Sequence, residues 1–246
     1  MSAVLVIAGT DSSGGAGLTR DVATLSAFGV EALCAVSAVT AQTDREVAGM
    51  MIIPAAWVRA QIETALGGGR VRAVKTGMLG ARDTVEALAA TLPPRERLPL
   101  VVDPVLAASS GGVLLDEAGR AALRTRLLPR ATLLTPNLPE AALLLGAATA
   151  GSPEEIVAQG RALCALGVAA VLMKGGHATG ALATDWLVSG DGAVREFTGA
   201  RYAAGRRGTG CALASGVAAG LAQGLELGAA CARAKQHVAA LLQAAA

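Results

Sequence analysis

Short apolar runs alternate with amphipathic stretches along most of this 246-residue chain. Six brief runs are apolar at nearly every position, which is typical of strands buried on both faces of a parallel sheet: Ala3–Ala8, Leu33–Val39, Val71–Thr76, Leu100–Asp103, Ala131–Thr135 and Val168–Lys174. The stretches between them have helical periodicity: Ala16–Phe28, Ala55–Leu66, Ala81–Leu92, Glu117–Leu128, Glu140–Leu145 and Pro153–Leu166. This order predicts an α/β fold with a doubly wound, mostly parallel sheet and helices on both faces.

The C-terminal part of the chain departs from the alternation. Thr184–Ser189 and Ala193–Thr198 flank a Gly-Asp-Gly turn and predict a β-hairpin. Two helices, about Gly210–Gly224 and Glu226–Ala245, are predicted to follow it. No internal repeat, low-complexity linker or break in composition interrupts the sequence, so we expect residues 1–246 to form a single domain.

Composition excludes several classes of protein. Twenty-one Lys and Arg against nineteen Asp and Glu give a net charge of +2, too small a cationic excess for a surface that binds a nucleic-acid backbone. Aromatic residues make up 2%, too few for stacking against nucleic-acid bases. Hydrophobic residues reach 53%, yet no apolar run approaches the ~18 residues of a membrane span. The four cysteines lack metal-site spacing, and the N-terminus lacks the features of a signal peptide. We expect a cytoplasmic enzyme.

Polar and glycine-rich residues follow five of the predicted strands. In open parallel sheets the carboxyl ends of the strands meet at one edge, where ligands bind. The segments that follow the strands are Gly9–Gly17, Thr76–Met78, Asp103–Val105, Thr135–Asn137 and Lys174–His177. The sequence therefore predicts one site that draws on all five.

Two glycine-rich loops open predicted helices and offer polar groups to a ligand, although Gly9–Gly17 could also be a plain strand-to-helix turn. The loop Gly9–Gly17 fails the dinucleotide fingerprint because Arg20 stands where a glycine is needed, and no glycine in the chain is followed by the Lys-Ser or Lys-Thr of a phosphate-binding P-loop. Gly208–Cys211 opens a small-residue helix, whose free amides and positive dipole end suit an anion. Cys211 is either a thiol whose pKa this helix end lowers or a buried structural cysteine.

The remaining strand-end residues suit phosphoryl transfer. Lys174 is one of only three lysines and would act as a point charge on phosphates. Asp103 and Glu140 are carboxylates able to hold Mg²⁺. Asn137 and Glu140 also have the spacing of a helix capping box, so a structural role for both remains open. His177 and His237 are the only histidines, and no catalytic constellation can be built around them.

Eight motifs in order resemble the hydroxymethylpyrimidine/phosphomethylpyrimidine kinases of thiamine biosynthesis, within the ribokinase-like superfamily. They are Ile7–Asp11, Ser13–Gly17, Thr40–Gln42, Thr76–Leu79, Val102–Val105, Leu134–Glu140, Val171–His177 and Gly208–Cys211. The resemblance covers essentially the whole chain. It implies ATP- and Mg²⁺-dependent phosphorylation of 4-amino-5-hydroxymethyl-2-methylpyrimidine and then of its monophosphate. It also implies a ribokinase-like fold, a homodimer and no nucleic-acid or membrane partner.

The resemblance assigns roles to individual residues. The pyrimidine pocket would comprise Gly9, Asp21, Gln42, Met78 and Val105. The catalytic group would comprise Cys211, Gly208, Gly210 and Lys174, and ATP would be bound by Lys174, Asn137 and Thr209. Asp103 and Glu140 would lie at Mg²⁺. The amide of Gln42 offers both a donor and an acceptor to an aminopyrimidine edge.

This chain departs from the family pattern at several positions. Ser12 replaces a usual Pro, Thr40 a usual Val, Thr43 a frequent Asn, Arg207 a common His and Ser109 a frequent Lys. The nearest alternative is a kinase for pyridoxal, pyridoxine or pyridoxamine, since some relatives with the same cysteine accept those pyridines. A catalytically silent binding protein is the alternative from another class. The joint presence of Lys174, Asp103, Glu140 and Cys211 argues against it.

Overall fold

An eight-stranded sheet forms the centre of the protein in this computed structural model, which describes residues 2–108, 112–176, 182–202 and 207–244. The strands are β1 (Ala3–Ala8), β2 (Glu31–Val36), β3 (Ala38–Gln42), β4 (Val47–Ile52), β5 (Val71–Thr76), β6 (Leu100–Val102), β7 (Leu133–Leu134), β8 (Ala170–Lys174), β9 (Leu182–Ser189) and β10 (Val194–Ala200). The helices are α1 (Gly17–Ala27), α2 (Ala55–Gly67), α3 (Arg82–Thr91), α4 (Glu117–Ala122), α5 (Leu138–Leu145), α6 (Pro153–Cys164), α7 (Thr209–Ala222) and α8 (Leu227–Gln243).

The order of strands in the sheet is β10-β9-β8-β7-β6-β5-β1-β2. The six strands from β8 to β2 are parallel, while β9 and β10 form the antiparallel hairpin expected at the far edge. The carboxyl ends of β1, β5, β6, β7 and β8 therefore lie along one edge. The predicted doubly wound, mostly parallel α/β fold is confirmed.

Two hydrophobic cores cover the two faces of the sheet. One core joins the sheet to α2–α6 and includes Ile62, Leu88 and Leu127, all of which are fully buried. The other joins it to α1, α7 and α8 and is built largely from small side chains such as Ala214 and Ala218. The small residues of α7 let that helix pack closely, and its position places its first turn at the ligand-binding edge.

The prediction of one strand over Leu33–Val39 is wrong. The chain breaks at Ser37, whose N–H donates to the carbonyl of Ala8 and whose hydroxyl donates to the carbonyl of Met78. Beyond this break β3 leaves the main sheet and pairs with β4 in an antiparallel two-stranded ribbon. We call this ribbon, residues 38–52, the flap; it stands beside the carboxyl ends of β1 and β5.

The other predicted elements are found with small changes at their ends. The helix predicted over Glu117–Leu128 is α4 followed by a π-helical turn at Leu123–Leu127. The strand predicted over Ala131–Thr135 narrows to β7. No helix in the described ranges has the length and apolar character needed to cross a membrane.

Candidate active site

A lysine and two carboxylates form a charged cluster at the ends of β6, β7 and β8. The ammonium of Lys174 lies 3.0 Å from Oδ1 of Asp103 and 3.8 Å from Oε2 of Glu140. The hydroxyl of Thr135 donates to the same Oδ1 of Asp103 at 3.1 Å. The three charged residues that the sequence predicted for phosphate and metal binding are thus brought together.

The charges of this cluster adjust one another's pKa values. Burial alone would lower the pKa of Lys174, but Asp103 and Glu140 outweigh that effect and raise it, so the ammonium stays charged. Burial raises the pKa of Glu140 to about 7, against the opposing effect of Lys174. Because burial disfavours the charged form of Glu140, a cation bound beside it would stabilise the carboxylate.

The capping interpretation of Asn137 and Glu140 is confirmed. The side chain of Asn137 accepts from the N–H of Glu140, and Oε2 of Glu140 accepts from the N–H of Asn137, both at 2.8 Å. The box fixes the Glu140 side chain at the start of α5. Because it uses Oε2, it leaves Oε1 for another ligand and does not exclude a functional role.

The N-termini of α1 and α7 meet above this cluster. Gly208 precedes α7 with φ of +77°, and a Cβ there would collide with the carbonyl of Gly15. A Cβ on Gly210 would lie 3.2 Å from Nζ of Lys174. The glycines of Gly208–Cys211 therefore allow the first turn of α7 to approach both the loop before α1 and the lysine. Thr209 is the first residue of that turn.

Of the two interpretations of Cys211, the structure does not favour a thiol of lowered pKa. Burial raises the pKa of its thiol to about 11, because the ion-stabilising effects of Lys75 and of the Gly17 backbone are smaller than the cost of desolvation. The helix ends are in place, but Asp21 and Asp103 oppose the thiolate as well. The free enzyme therefore holds Cys211 as a neutral thiol at neutral pH.

A cluster of apolar side chains packs between the flap and the segments that follow β5 and β6. Met78 packs with Ala38 of the flap and Leu114, and Val105 and Ile52 lie against them. A side chain at Gly9 would collide with the end of Met78, so glycine at this position leaves room for the Met78 side chain. Gln42 ends β3 and is half-buried. Three of the five predicted pocket residues, Gly9, Met78 and Val105, lie in or against this cluster, while Gln42 contacts Ser12 at the other end of β3.

Asp21 does not line the predicted pyrimidine pocket. It is fully buried within α1, and its two carboxylate oxygens each lie 2.8 Å from the ammonium of Lys75. The hydroxyl of Ser215 donates to the same carboxylate at 2.8 Å. Lys75 is also fully buried, and the pull of Asp21 raises its pKa despite burial. Asp21 therefore pairs with the ammonium of Lys75 near Cys211, and it has no exposed surface with which to contact a substrate.

Sequence reasoning missed two charged residues near the site. Lys75 could have been noticed as a rare lysine inside an apolar strand. In the sequence Arg207 stands out only as a residue at a position where related sequences commonly have His, and it joins Asp11 to the turn of the flap at Asp44. His237 packs edge-on against Phe28, with ring centres 5.1 Å apart and away from the strand ends. His177 and Ser109 lie outside the described residues.

The donor set fits magnesium bound together with phosphates. No group of three or more potential ligating side chains occurs in the part of the chain that the structure describes, so a cage made of protein alone does not fit. Mg²⁺ typically binds one or two carboxylates and completes its shell with phosphates and water. Asp103 and Glu140, with an oxygen each outside the contacts described above, match that requirement.

A sheet of this topology, with a lysine and a helix N-terminus at the same strand ends, defines a ribokinase-like kinase. Solved structures of such vitamin kinases share the fold. A phosphomethylpyrimidine kinase from Clostridium difficile 630 has a TM-score of 0.83 and 33% identity, with 98% of this chain and 99% of that chain covered. A Staphylococcus aureus pyridoxal kinase in complex with AMP-PCP has a TM-score of 0.88 and 29% identity, covering 98% and 88%.

Sequence comparison narrows this class to one family. The family model for phosphomethylpyrimidine kinase matches residues 11–246. The hydroxymethylpyrimidine/phosphomethylpyrimidine kinase of Rhizobium meliloti is 44% identical over 241 residues, which is 98% of this chain and 90% of that protein. The chain belongs to the phosphomethylpyrimidine kinase family, as the motifs in its sequence predicted.

Proposed function

We propose that this protein transfers the γ-phosphoryl group of ATP to 4-amino-5-hydroxymethyl-2-methylpyrimidine and then to its monophosphate, as a step in thiamine biosynthesis. The observation that carries the proposal is the match of the family across residues 11–246. The 44% identity to a curated kinase of this specificity supports it further. The site supports it because the apolar cluster around Met78 and the charged cluster of Lys174, Asp103 and Glu140 both lie at the carboxyl ends of the central strands.

Some of the site residues would bind the substrates, and others would stabilise negative charge on the phosphates. In the first transfer the hydroxymethyl oxygen bonds to the γ-phosphorus while the bond from that phosphorus to the β–γ bridging oxygen breaks, the hydroxyl proton passes to an oxygen of the transferred phosphoryl group, and ADP leaves. Lys174 and the amides of Gly208–Cys211 would stabilise the developing negative charge. Asn137 and Thr209 would contact ATP, and Cys211, as a neutral thiol, would orient the acceptor hydroxyl. Magnesium, held by Asp103 and Glu140, would supply further neutralisation of the phosphates.

Pyridoxal kinase activity is the second candidate. It is favoured by structural likeness, since the Staphylococcus aureus and Bacillus subtilis pyridoxal kinases have TM-scores of 0.86 to 0.88 with this chain. The identities of those kinases are 28–31%, below the 44% of the pyrimidine kinase relative. The pyrimidine is therefore the preferred substrate in this proposal.

The test is a direct comparison of substrates. The purified protein is given ATP and Mg²⁺ with hydroxymethylpyrimidine, its monophosphate or pyridoxal, and ADP release and product mass are measured. We expect a higher kcat/KM for both pyrimidines than for pyridoxal. A higher kcat/KM for pyridoxal would reject the proposal in favour of the second candidate.

Gln42→Leu provides the matched specificity variant. If bound pyrimidine covers the half-buried amide of Gln42, loss of its hydrogen-bond partner costs about 1–3 kcal/mol, roughly ten- to a hundredfold. The substitution should weaken use of hydroxymethylpyrimidine more than use of pyridoxal. Equal losses on both substrates would remove Gln42 from the specificity argument.

We further propose that the chain acts as one domain, as a homodimer and in the cytoplasm, where its phosphoryl donor is made. The central sheet supports the first point because it takes strands from residues 3 to 200. Exposed apolar side chains on the flap and on α2, namely Val39, Met50, Met51 and Trp57, support a second copy of this chain as the partner. The unpaired state of all four cysteines supports a reducing compartment.

A further inference from the structure

Arg207 joins three segments that lie far apart in the sequence. One of its terminal nitrogens donates to Oδ2 of Asp11 at 3.0 Å. The other donates to the hydroxyl of Ser13 at 2.8 Å, the carbonyl of Thr43 at 3.1 Å and Oδ1 of Asp44 at 2.9 Å. Its planar guanidinium thus binds the loop after β1 and the turn of the flap together, while its backbone leads directly into α7.

The loop side of this contact is rigid. The buried carboxylate of Asp11 also accepts from the N–H and hydroxyl of Ser13 and from the N–H of Ala16, at 2.7 to 2.9 Å. These bonds shape the turn that leads into α1, so Asp11 stays hydrogen-bonded even without Arg207. Removal of the arginine is therefore not expected to unfold this loop.

The flap side depends on polar contacts. A two-stranded ribbon alone is marginally stable in water, so the flap needs attachment to the rest of the protein. The hydroxyl of Ser12 donates to the carbonyl of Gln42 and accepts from its N–H, and the hydroxyl of Thr40 donates to the carbonyl of Thr10. Arg207 adds a charge-assisted contact at the tip of the ribbon, next to Gln42.

Four residues from three segments meet at this seam: Ser12, Thr40, Thr43 and Arg207. Each has its side chain or backbone in the contacts between the flap, the loop after β1 and the start of α7. Positions 40 and 43 are on the flap, position 12 is in the loop and position 207 precedes Gly208. Together their contacts hold the flap against the loop after β1 and the start of α7.

We propose that Arg207 is a positioning residue that fixes the flap, and with it Gln42, against the Gly208–Cys211 turn. The proposal rests on the proposed function for the identity of the substrate. On the proposed function, Gln42 would contact the pyrimidine and the Gly208–Cys211 amides would contact the phosphates. Arg207 keeps the two at a constant separation, so that the acceptor hydroxyl is presented to the γ-phosphoryl group in a reactive alignment.

The first measurement is a split of kinetic constants in Arg207→Ala. We expect the KM for hydroxymethylpyrimidine to rise about tenfold or more, the effect of losing charge-assisted hydrogen bonds, while the KM for ATP stays within twofold. Arg207→Lys should recover part of the loss, because one ammonium cannot reach Asp11 and Asp44 in the same way as a guanidinium fork. Arg70→Ala is the control: Arg70 pairs with Glu31 at 2.7 Å beside the amino end of β5, at the opposite edge of the sheet.

The second measurement needs no substrate. Amide hydrogen exchange at Gln42 and Thr43, which donate to Ser12 and Glu46, should be at least tenfold faster in Arg207→Ala and unchanged in Arg70→Ala. Unchanged exchange in Arg207→Ala, or an equal rise in both KM values, would overturn the proposal. If the wild-type protein fails to phosphorylate the pyrimidine, the proposed function falls, and exchange alone decides the role of Arg207.

Discussion

Each of the three lysines in this chain pairs with a buried aspartate. Lys75 meets Asp21, Lys174 meets Asp103 and Lys235 meets Asp185, at 2.8 to 3.0 Å. The exposed ion pairs of the described residues use arginine instead. A slender ammonium fits where a guanidinium fork would need more space and more acceptors. Lysine is thus kept for positions where a compact charge stands inside the protein.

The Lys75–Asp21 pair is expected to be critical for stability when one partner is removed. Lys75→Met should lower the free energy of unfolding by about 3–5 kcal/mol, because it leaves the Asp21 carboxylate buried with only Ser215 as a partner. Chemical denaturation at pH 7 measures this change. The double variant Lys75→Met/Asp21→Leu should regain much of the loss, and failure to do so would show that the charge pair is not the cause.

Cys211 is expected to react as a neutral thiol. With a pKa of about 11, its alkylation by iodoacetamide should speed up roughly tenfold per pH unit from pH 7 to 10, since the thiolate is the reactive form. Peptide mapping separates this site from the exposed Cys34, and Cys211→Ser provides the blank. A rate that levels off near pH 8 would instead mean a preformed thiolate.

Turnover of Cys211→Ser follows from the same protonation state. Since a neutral hydroxyl would replace a neutral thiol of similar size, we expect kcat to stay within about tenfold of the wild-type value. A general base typically contributes 10²–10⁴-fold. A loss in that range, with an unchanged thermal midpoint, would identify Cys211 as the base for the acceptor hydroxyl.

At the scale of single elements, helix N-termini supply most of the site. The start of α5 orders Glu140 through its capping box, and the starts of α1 and α7 flank Cys211. The same box that stabilises α5 therefore aims a carboxylate at Lys174. One residue has the capping role and is proposed to hold Mg²⁺ as well, which is why the sequence left both interpretations open.

Glu140→Gln separates the two roles. Glutamine keeps the size of the side chain and the acceptor of the capping box, so the free energy of unfolding should change by less than about 1 kcal/mol. It removes the charge beside Mg²⁺, so the Mg²⁺ concentration for half-maximal activity should rise about tenfold. The control is Glu155→Gln in the equivalent capping box of α6. An unchanged Mg²⁺ requirement in Glu140→Gln would leave Glu140 with the capping role alone.

The elements also show what the sequence could predict. Strands buried on both faces and amphipathic helices follow from local patterns, and these placed Lys174, Asp103 and the Gly208 turn at one sheet edge. The flap could not be predicted because the break at Ser37 depends on hydrogen bonds to Ala8 and Met78, which are distant in sequence. β4 is largely exposed and lacks a clear alternation. The burial of Asp21 and the pKa of Cys211 likewise arise from packing between α1, β5 and α7.

At the scale of the whole molecule, the flap and α2 expose the apolar side chains proposed to meet a second copy. Val39 and Met51 lie directly opposite each other on the ribbon, with 40% and 61% of their surface exposed. Met51→Glu should weaken dimerisation at least tenfold in sedimentation velocity, because a two-fold interface contains every substitution twice. Val113→Glu, at an equally exposed valine outside the flap, should leave the association unchanged. Equal behaviour of the two variants would place the interface elsewhere.

The pairing of every lysine with a buried aspartate also limits which lysines an amine-modifying reagent can reach. Lys75 has no exposed surface, and the side chains of Lys174 and Lys235 are 15% and 18% exposed. An acylating reagent therefore has two partly accessible ε-amino groups to modify, and one of them, Lys174, is proposed to bind the nucleotide. Protection of Lys174 from such a reagent by ATP would report occupancy of the site directly, with Lys235 as the internal standard within the same chain.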